Sequence, residues 1–256
     1  MNEYYIKQYN ISMRYQDFPG NECPILFIHG LGCAGSFDYP QVATQNKLKK
    51  HRCIIVDLLG AGYSDKPSDF EYSVSAHASY LKNFVDDLEL KNLIIFGHSL
   101  GGAVAIELAA RCGENVSQLI LSESNLDPST KGSTSYEIAE NTEESFIQTG
   151  FHQMIDESSN NGNTMWAATL SNWLPTAAYR FSKSAVIGGK ISWRKILYEL
   201  PIPKCFIFGE KSLPNDDYHV LQQNGIRIET VQNAGHSMAW ENPQGLADAI
   251  ADVIEL

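Results

Sequence analysis

The sequence predicts an α/β architecture: a mostly parallel sheet with helices on both faces and a helical insertion. Three observations predict it. Short apolar runs alternate with stretches of helical spacing along most of the 256 residues. One of those runs leads directly into a glycine-flanked serine and a small-residue helix. A single long stretch, residues 127–192, breaks the alternation.

The elements follow in order. Residues 4–16 alternate like an opening β-hairpin with Asn10 near its turn. Ile25–Ile28 is a short buried strand ending in His29-Gly30, and Cys53–Asp57 is the next strand. Residues 73–88 have helical spacing, with Ser73 or Ser75 as the N-cap. Leu93–Phe96 is a third buried strand, and residues 100–112 (LGGAVAIELAARC) form the helix after it. Gln118–Leu121, Lys204–Phe208 and Ile226–Val231 supply further strands. The last helix, 243–255, has Pro243 near its first turn, where the missing N–H is no loss. Within 127–192, Ser, Thr and Asn clusters mix with Trp166, Trp173, Tyr179 and Phe181, and no strand pattern occurs. Disordered segments lack such aromatics. The expected organisation is therefore a core of residues 1–126 and 193–256 carrying a helical cap at 127–192.

Composition narrows the function classes. Hydrophobic residues at 43% and charged ones at 19% describe an ordinary globular protein. A net charge of -11 with scattered Lys and Arg argues against nucleic acid. The five cysteines are widely spaced, without a CxxC pair, and read as reduced thiols. The N-terminal stretch has no apolar signal-peptide core, and no apolar run approaches a membrane span. The expectation is a cytoplasmic protein acting on a small molecule. No His, Asp or Glu cluster has metal-ligand spacing, and Gly60-Ala61-Gly62 lacks the rest of a dinucleotide fingerprint, so neither metal nor cofactor is expected.

Chemistry concentrates at Gly97-His98-Ser99-Leu100-Gly101-Gly102. A serine on a sharp strand-to-helix turn exposes its hydroxyl at the carboxyl edge of the sheet. Gly97 and Gly101 let the neighbouring backbone come close, and the helix N-terminus behind Ser99 favours developing negative charge. Acyl transfer also needs two N–H donors for the tetrahedral oxyanion. His29-Gly30-Leu31-Gly32 follows the strand at 25–28, so the main-chain N–H groups of Leu31 and Leu100 are the expected pair.

These segments together carry a family resemblance. Phe27–Leu31, the run Asp57-Leu-Leu-Gly-Ala-Gly-Tyr-Ser-Asp-Lys-Pro67, Gly97–Gly101 and Gly235-His236 resemble the α/β-hydrolase superfamily along nearly the whole chain, with 127–192 matching only in location. The resemblance implies an eight-stranded sheet with an antiparallel second strand, and a structural role for the Asp57–Ser64 loop. It also implies the chain order nucleophile, acid, histidine, which makes His236 the base. His51, His77, His152 and His219 read as surface residues, and His29 and His98 as loop-bracing or pocket-lining groups.

The acid departs from the family pattern. An Asp is common about three residues after the strand ending at Gly209, but Ser212 occupies that position and cannot supply the charge an imidazolium requires. The superfamily's second location is the end of the preceding core strand, where this chain has Ser122-Glu123. Glu123 is the expected acid, with Asp216, Asp217 and Glu210 as alternatives.

The resulting expectation is a serine hydrolase, carboxylesterase-like, opening a small or medium ester, lactone or thioester through an acyl-enzyme on Ser99. A small-molecule receptor with an intact triad, a C–C bond hydrolase and a cofactor-free haloperoxidase are the alternatives. Serine rather than aspartate at 99 argues against epoxide hydrolysis and dehalogenation through an alkyl-enzyme ester.

Overall fold

The computed structural model describes residues 1–255. Its strands are β1 (Asn2–Ile6), β2 (Ile11–Phe18), β3 (Glu22–Ile28), β4 (His51–Asp57), β5 (Leu93–His98), β6 (Val116–Ser122), β7 (Lys204–Gly209) and β8 (Arg227–Val231). They form one eight-stranded sheet in the order β1-β2-β4-β3-β5-β6-β7-β8. β2 is antiparallel to both its neighbours, and β3 through β8 pair in parallel. The opening hairpin turns at Asn10, whose φ of 55° suits a short polar side chain.

Alternating side chains give the sheet two cores. Leu26, Ile28, Ile54, Val56 and Ile95 point into one, and Ile25, Phe27, Cys53, Ile55 and Phe96 into the other. Strands buried on both faces explain why each reads as a continuous apolar run. On the first face lie α1 (Val74–Asp87) and α2 (Leu100–Cys112). Ser73 caps α1, its hydroxyl accepting the Ala76 N–H at 3.1 Å. The second face is covered by the turns at Gly35–Ala43 and by the C-terminal helix, in which Pro243 stands at the first position.

Between β6 and β7 the chain makes the helices α3 (Thr134–Ala139), α4 (Phe151–Asn160), α5 (Thr164–Leu170), α6 (Pro175–Ile187) and α7 (Trp193–Glu199). A backbone hydrogen bond from Arg194 N–H to Leu126 C=O, 2.9 Å, closes the base of this excursion. Between β7 and β8 lies α8 (Asp217–Gln223), and the C-terminal helix is α9 (Pro243–Ile254). α7 and α8 fall where the sequence reading placed no element. At seven residues each, they are too short for a helical period to declare itself.

Two of the histidines read as surface residues are in fact buried. His51 lies against β3, its Nδ1 3.0 Å from Cys23 C=O. His77 faces the first core from α1, its Nδ1 accepting the Tyr80 hydroxyl at 2.9 Å while that hydroxyl accepts the Leu59 N–H at 3.1 Å. Burial drives His77 down to about 3, so it stays neutral. A histidine on an otherwise apolar helix face follows the face inward, which polarity alone does not reveal. His152 and His219 are exposed, as expected.

Candidate active site

β5 ends at His98, and Ser99 occupies the turn into α2 with φ 51° and ψ -127°. A side-chain-bearing residue is costly there, about 1–3 kcal/mol for a held strained conformation. The surrounding bonds impose it: Ser99 N–H donates to Ser122 C=O at 2.9 Å, and Ser99 C=O accepts from Gly102 N–H at 2.9 Å and Asn125 N–H at 3.2 Å. Gly101 makes the turn this close. A Cβ there would lie 2.1 Å from the His29 carbonyl oxygen, so only glycine lets α2 start against the end of β3.

That contact brings the Gly30–Gly32 loop beside the N-terminus of α2. Buried His29 accepts the Leu58 N–H at Nε2 (3.0 Å), so its Nδ1 carries the proton and donates to Gly30 C=O at 2.9 Å. Burial lowers the His29 pKa against the pull of Asp57, keeping the ring in this neutral form. Cys33 N–H also bonds Gly30 C=O, at 3.3 Å. In a trans peptide, fixing that carbonyl turns the Leu31 N–H the opposite way. Among the described residues neither the Leu31 nor the Leu100 N–H has a protein acceptor. Two indoles from the helical excursion hold the same loop: Trp166 Nε1–H donates to Leu31 C=O at 3.0 Å, and Trp173 Nε1–H to Cys33 C=O at 2.7 Å.

His236 follows β8 on a loop braced from several sides. Glu210 accepts Asn233 N–H at 2.8 Å, Glu241 accepts Gly235 N–H at 2.6 Å, and Lys211 N–H reaches Ala234 C=O at 2.9 Å. The ring is 55% exposed, and its Nδ1 lies 3.2 Å from Glu123 Oε2. A carboxylate can only accept, so Nδ1 is the donating nitrogen and Nε2 lies on the far side of the ring from Glu123. Among the described residues the Ser99 hydroxyl makes no hydrogen bond to that ring; both groups line one cleft. Hydrogen bonds of this kind are often long before a substrate binds.

Glu123 sits just past β6 with φ 43° and 11% side-chain exposure. Burial raises its pKa, but hydrogen bonds from His236 and from Gly209 N–H (2.9 Å) outweigh that and hold it below the usual carboxylate range. Ser212 stands at the position where an Asp was looked for, close to this carboxylate. The alternatives are engaged elsewhere: Asp217 pairs with Arg194 at 2.9 Å, Glu210 holds the His236 loop, and Asp216 is exposed. His98 packs against His236, with ring centroids 4.7 Å apart and planes tilted by 49°, and burial, then His236, drives it down to about 3. It stays neutral beside Ser122.

The Asp57–Ser64 loop is structural. Asp57 accepts Ser36 N–H and Oγ–H at 2.8 Å each and Tyr63 N–H at 3.0 Å, while Ser64 Oγ–H donates to Asp57 C=O. The cleft holding Ser99, His236 and Glu123 has a volume of about 650 Å³. A groove of about 950 Å³ between Ser73–Ser79 and Arg180–Ile191 is larger but contains neither Ser99 nor His236. The bracing carboxylates Glu210 and Glu241 and the two tryptophans were not singled out in the sequence reading for these roles, because their partners are backbone groups far along the chain.

An eight-stranded sheet of this order, with a strained serine and a carboxylate-bound histidine at its carboxyl edge, is the architecture of an α/β hydrolase. The chain belongs to that family: the α/β hydrolase fold model matches residues 24–178. Over 99 residues it is 32% identical to 2-hydroxymuconate semialdehyde hydrolase of Pseudomonas sp. strain CF600, covering 38% of this chain and 35% of that protein. The match thus spans about a third of that relative's length. An esterase from Exiguobacterium antarcticum superposes with a TM-score of 0.79 at 19% identity over 97% of each chain. The enol-lactonase from Burkholderia xenovorans LB400 superposes with 0.80 at 17% over 100% of each. At that identity these two structures speak for the fold alone. Among the described residues no helix is long and apolar enough to cross a membrane.

Proposed function

We propose that this α/β hydrolase is a serine hydrolase that opens small or medium carboxylic esters, lactones or thioesters, with Ser99, His236 and Glu123 as its triad and residues 127–192 as its cap. One observation carries the reading: the Glu123–His236 pair at 3.2 Å, in the cleft that Ser99 lines.

The chemistry follows from the groups present. Ser99 Oγ bonds to the substrate carbonyl carbon while its proton passes to His236 Nε2. The carbonyl oxygen becomes an oxyanion facing the Leu31 and Leu100 N–H groups, and the positive end of α2 adds to its stabilisation. Glu123 steadies the imidazolium. The bond from carbonyl carbon to the leaving oxygen or sulfur then breaks, and the leaving group takes the proton from Nε2. Water, deprotonated by His236, attacks the acyl-enzyme, and Ser99 recovers its proton as the acid departs.

A fluorophosphonate probe tests this directly, since it phosphonylates an activated serine. It should label the native chain and leave Ser99→Ala unlabelled. Equal labelling of the variant would remove Ser99 from the mechanism. The likeness to a semialdehyde hydrolase keeps C–C bond hydrolysis by the same serine as a second reading, distinguished by turnover of a diketone but not of esters.

A further inference from the structure

The cleft at Ser99 has an unusual wall for an ester-binding site. Apart from Leu31, Met154 and Trp166, the side chains that line it are polar. Two of them, Glu137 from α3 and Glu157 from α4, are carboxylates on the excursion side of the cleft, facing the same space as Ser99. Among the described residues neither is in an ion pair, and no lysine or arginine lines the cleft. Glu123 adds a third carboxylate beneath His236, within a chain whose net charge is -11. Trp166 contributes an aromatic ring to the same wall.

Each feature acts on substrate charge in the same direction. Glu137 and Glu157, exposed carboxylates without an ion-pair partner among the described residues, give the cleft a negative potential, which draws in cations and repels anions. An indole attracts an ammonium group through the negative face of its ring. The nucleophile and base already mark this space as the place where a ligand sits; its charge decides which ligand. Resting on the serine-hydrolase reading, we infer that the cleft is built for esters or lactones that carry an ammonium group away from the scissile bond, and against substrates that carry a carboxylate. Hydrolysis itself releases a carboxylic acid that ionises at neutral pH, so the same potential expels the product.

The test is a set of matched esters hydrolysed in a pH-stat: the acetates of choline, of 3,3-dimethylbutanol and of 4-hydroxybutanoate. A second set carries the same three charges in the acyl group. In at least one set the cationic ester should exceed its neutral counterpart in kcat/KM by about tenfold at low salt, and the anionic ester should fall below it by about as much. Both ratios should shrink toward one in about 0.5 M salt, where the screening length is a few ångströms. They should shrink likewise in the Glu137→Gln/Glu157→Gln double variant, whose fluorophosphonate labelling reports that the site is still assembled. Anionic esters turned over as fast as neutral ones in both sets, or ratios unchanged in the double variant, would overturn the inference and leave the hydrolase reading standing. No Ser99-dependent turnover of any ester would overturn both.

Discussion

Glu123, the proposed triad acid, is where the proposed site departs from the common family pattern. It leaves β6 in the left-handed region, at φ 43°, and that turn swings its carboxylate under His236. The Gly209 N–H holds the other carboxylate oxygen at 2.9 Å. Glu123→Gln should reduce kcat on an activated ester by about 10⁴-fold, because an amide can donate to Nδ1 and select the wrong tautomer. Asp216→Asn and Asp217→Asn should stay within a few-fold of wild type; a silent Asp217→Asn enzyme would shift the acid to that loop. The sign of the pH effect also follows. A carboxyl held below its unfolded value contributes stability above that value and loses it only as pH falls through the lowered one. Glu123 was legible through the family resemblance, which offers the end of β6 as a second location for the acid once Ser212 is found at the first. Its partner Gly209 was not, since a backbone N–H carries no signal of whom it will meet.

Among the elements, α5 and the loop after it bear on chemistry at a distance. Trp166 and Trp173 reach across to the carbonyls of Leu31 and Cys33, so the excursion between β6 and β7 clamps the loop that carries the Leu31 N–H. Gly32 fits this clamp at φ 75°, and a Cβ there would lie 2.4 Å from Trp166 Nε1. Trp166→Phe keeps a ring and removes the donor. It should lower kcat by roughly tenfold, less than the 10²–10³ that loss of an oxyanion donor costs, with KM changed little. A raised KM at unchanged kcat would instead assign Trp166 to substrate packing. The strands were legible because burial on both faces makes each a run of apolar residues, as in Leu93–Phe96. The excursion at 127–192, the proposed cap, could be placed only as a stretch without strand pattern. Its helices are short, and their apolar residues answer to contacts with the core and with one another.

For the molecule as a whole, Asp38 is a cost built into the second core. It ends the turn Gly35–Asp38 fully enclosed, with Oδ1 lacking a partner among the described residues. Burial, with the nearby Asp57 charge, pushes it up to about 8. The carboxyl is therefore neutral when folded and ionised when unfolded between 3.8 and about 8. The unfolded chain binds fewer protons in that window, so stability is full below it and declines as pH rises through it. Asp38→Asn should flatten the decline and raise Tm near pH 8, by roughly 2–4 °C for each kcal/mol recovered in a chain of this size. Melting curves between pH 5 and pH 9 would show it, and parallel curves for the two proteins would refute it.

The hydrogen bond between Leu126 and Arg194 has a consequence for how such a protein can change over generations. It makes the intervening residues a loop closed at its own stem, and doubling the length of a closed loop costs only about 0.6 kcal/mol. Insertions, deletions or wholesale replacement between those two positions leave the sheet, the start of α2 and the His236 loop where they are. A lineage can therefore acquire new diets by exchanging this one segment while inheriting its reaction unaltered. The two tryptophans that grip the carbonyls of Leu31 and Cys33 are the part of the segment that any replacement has to reinvent.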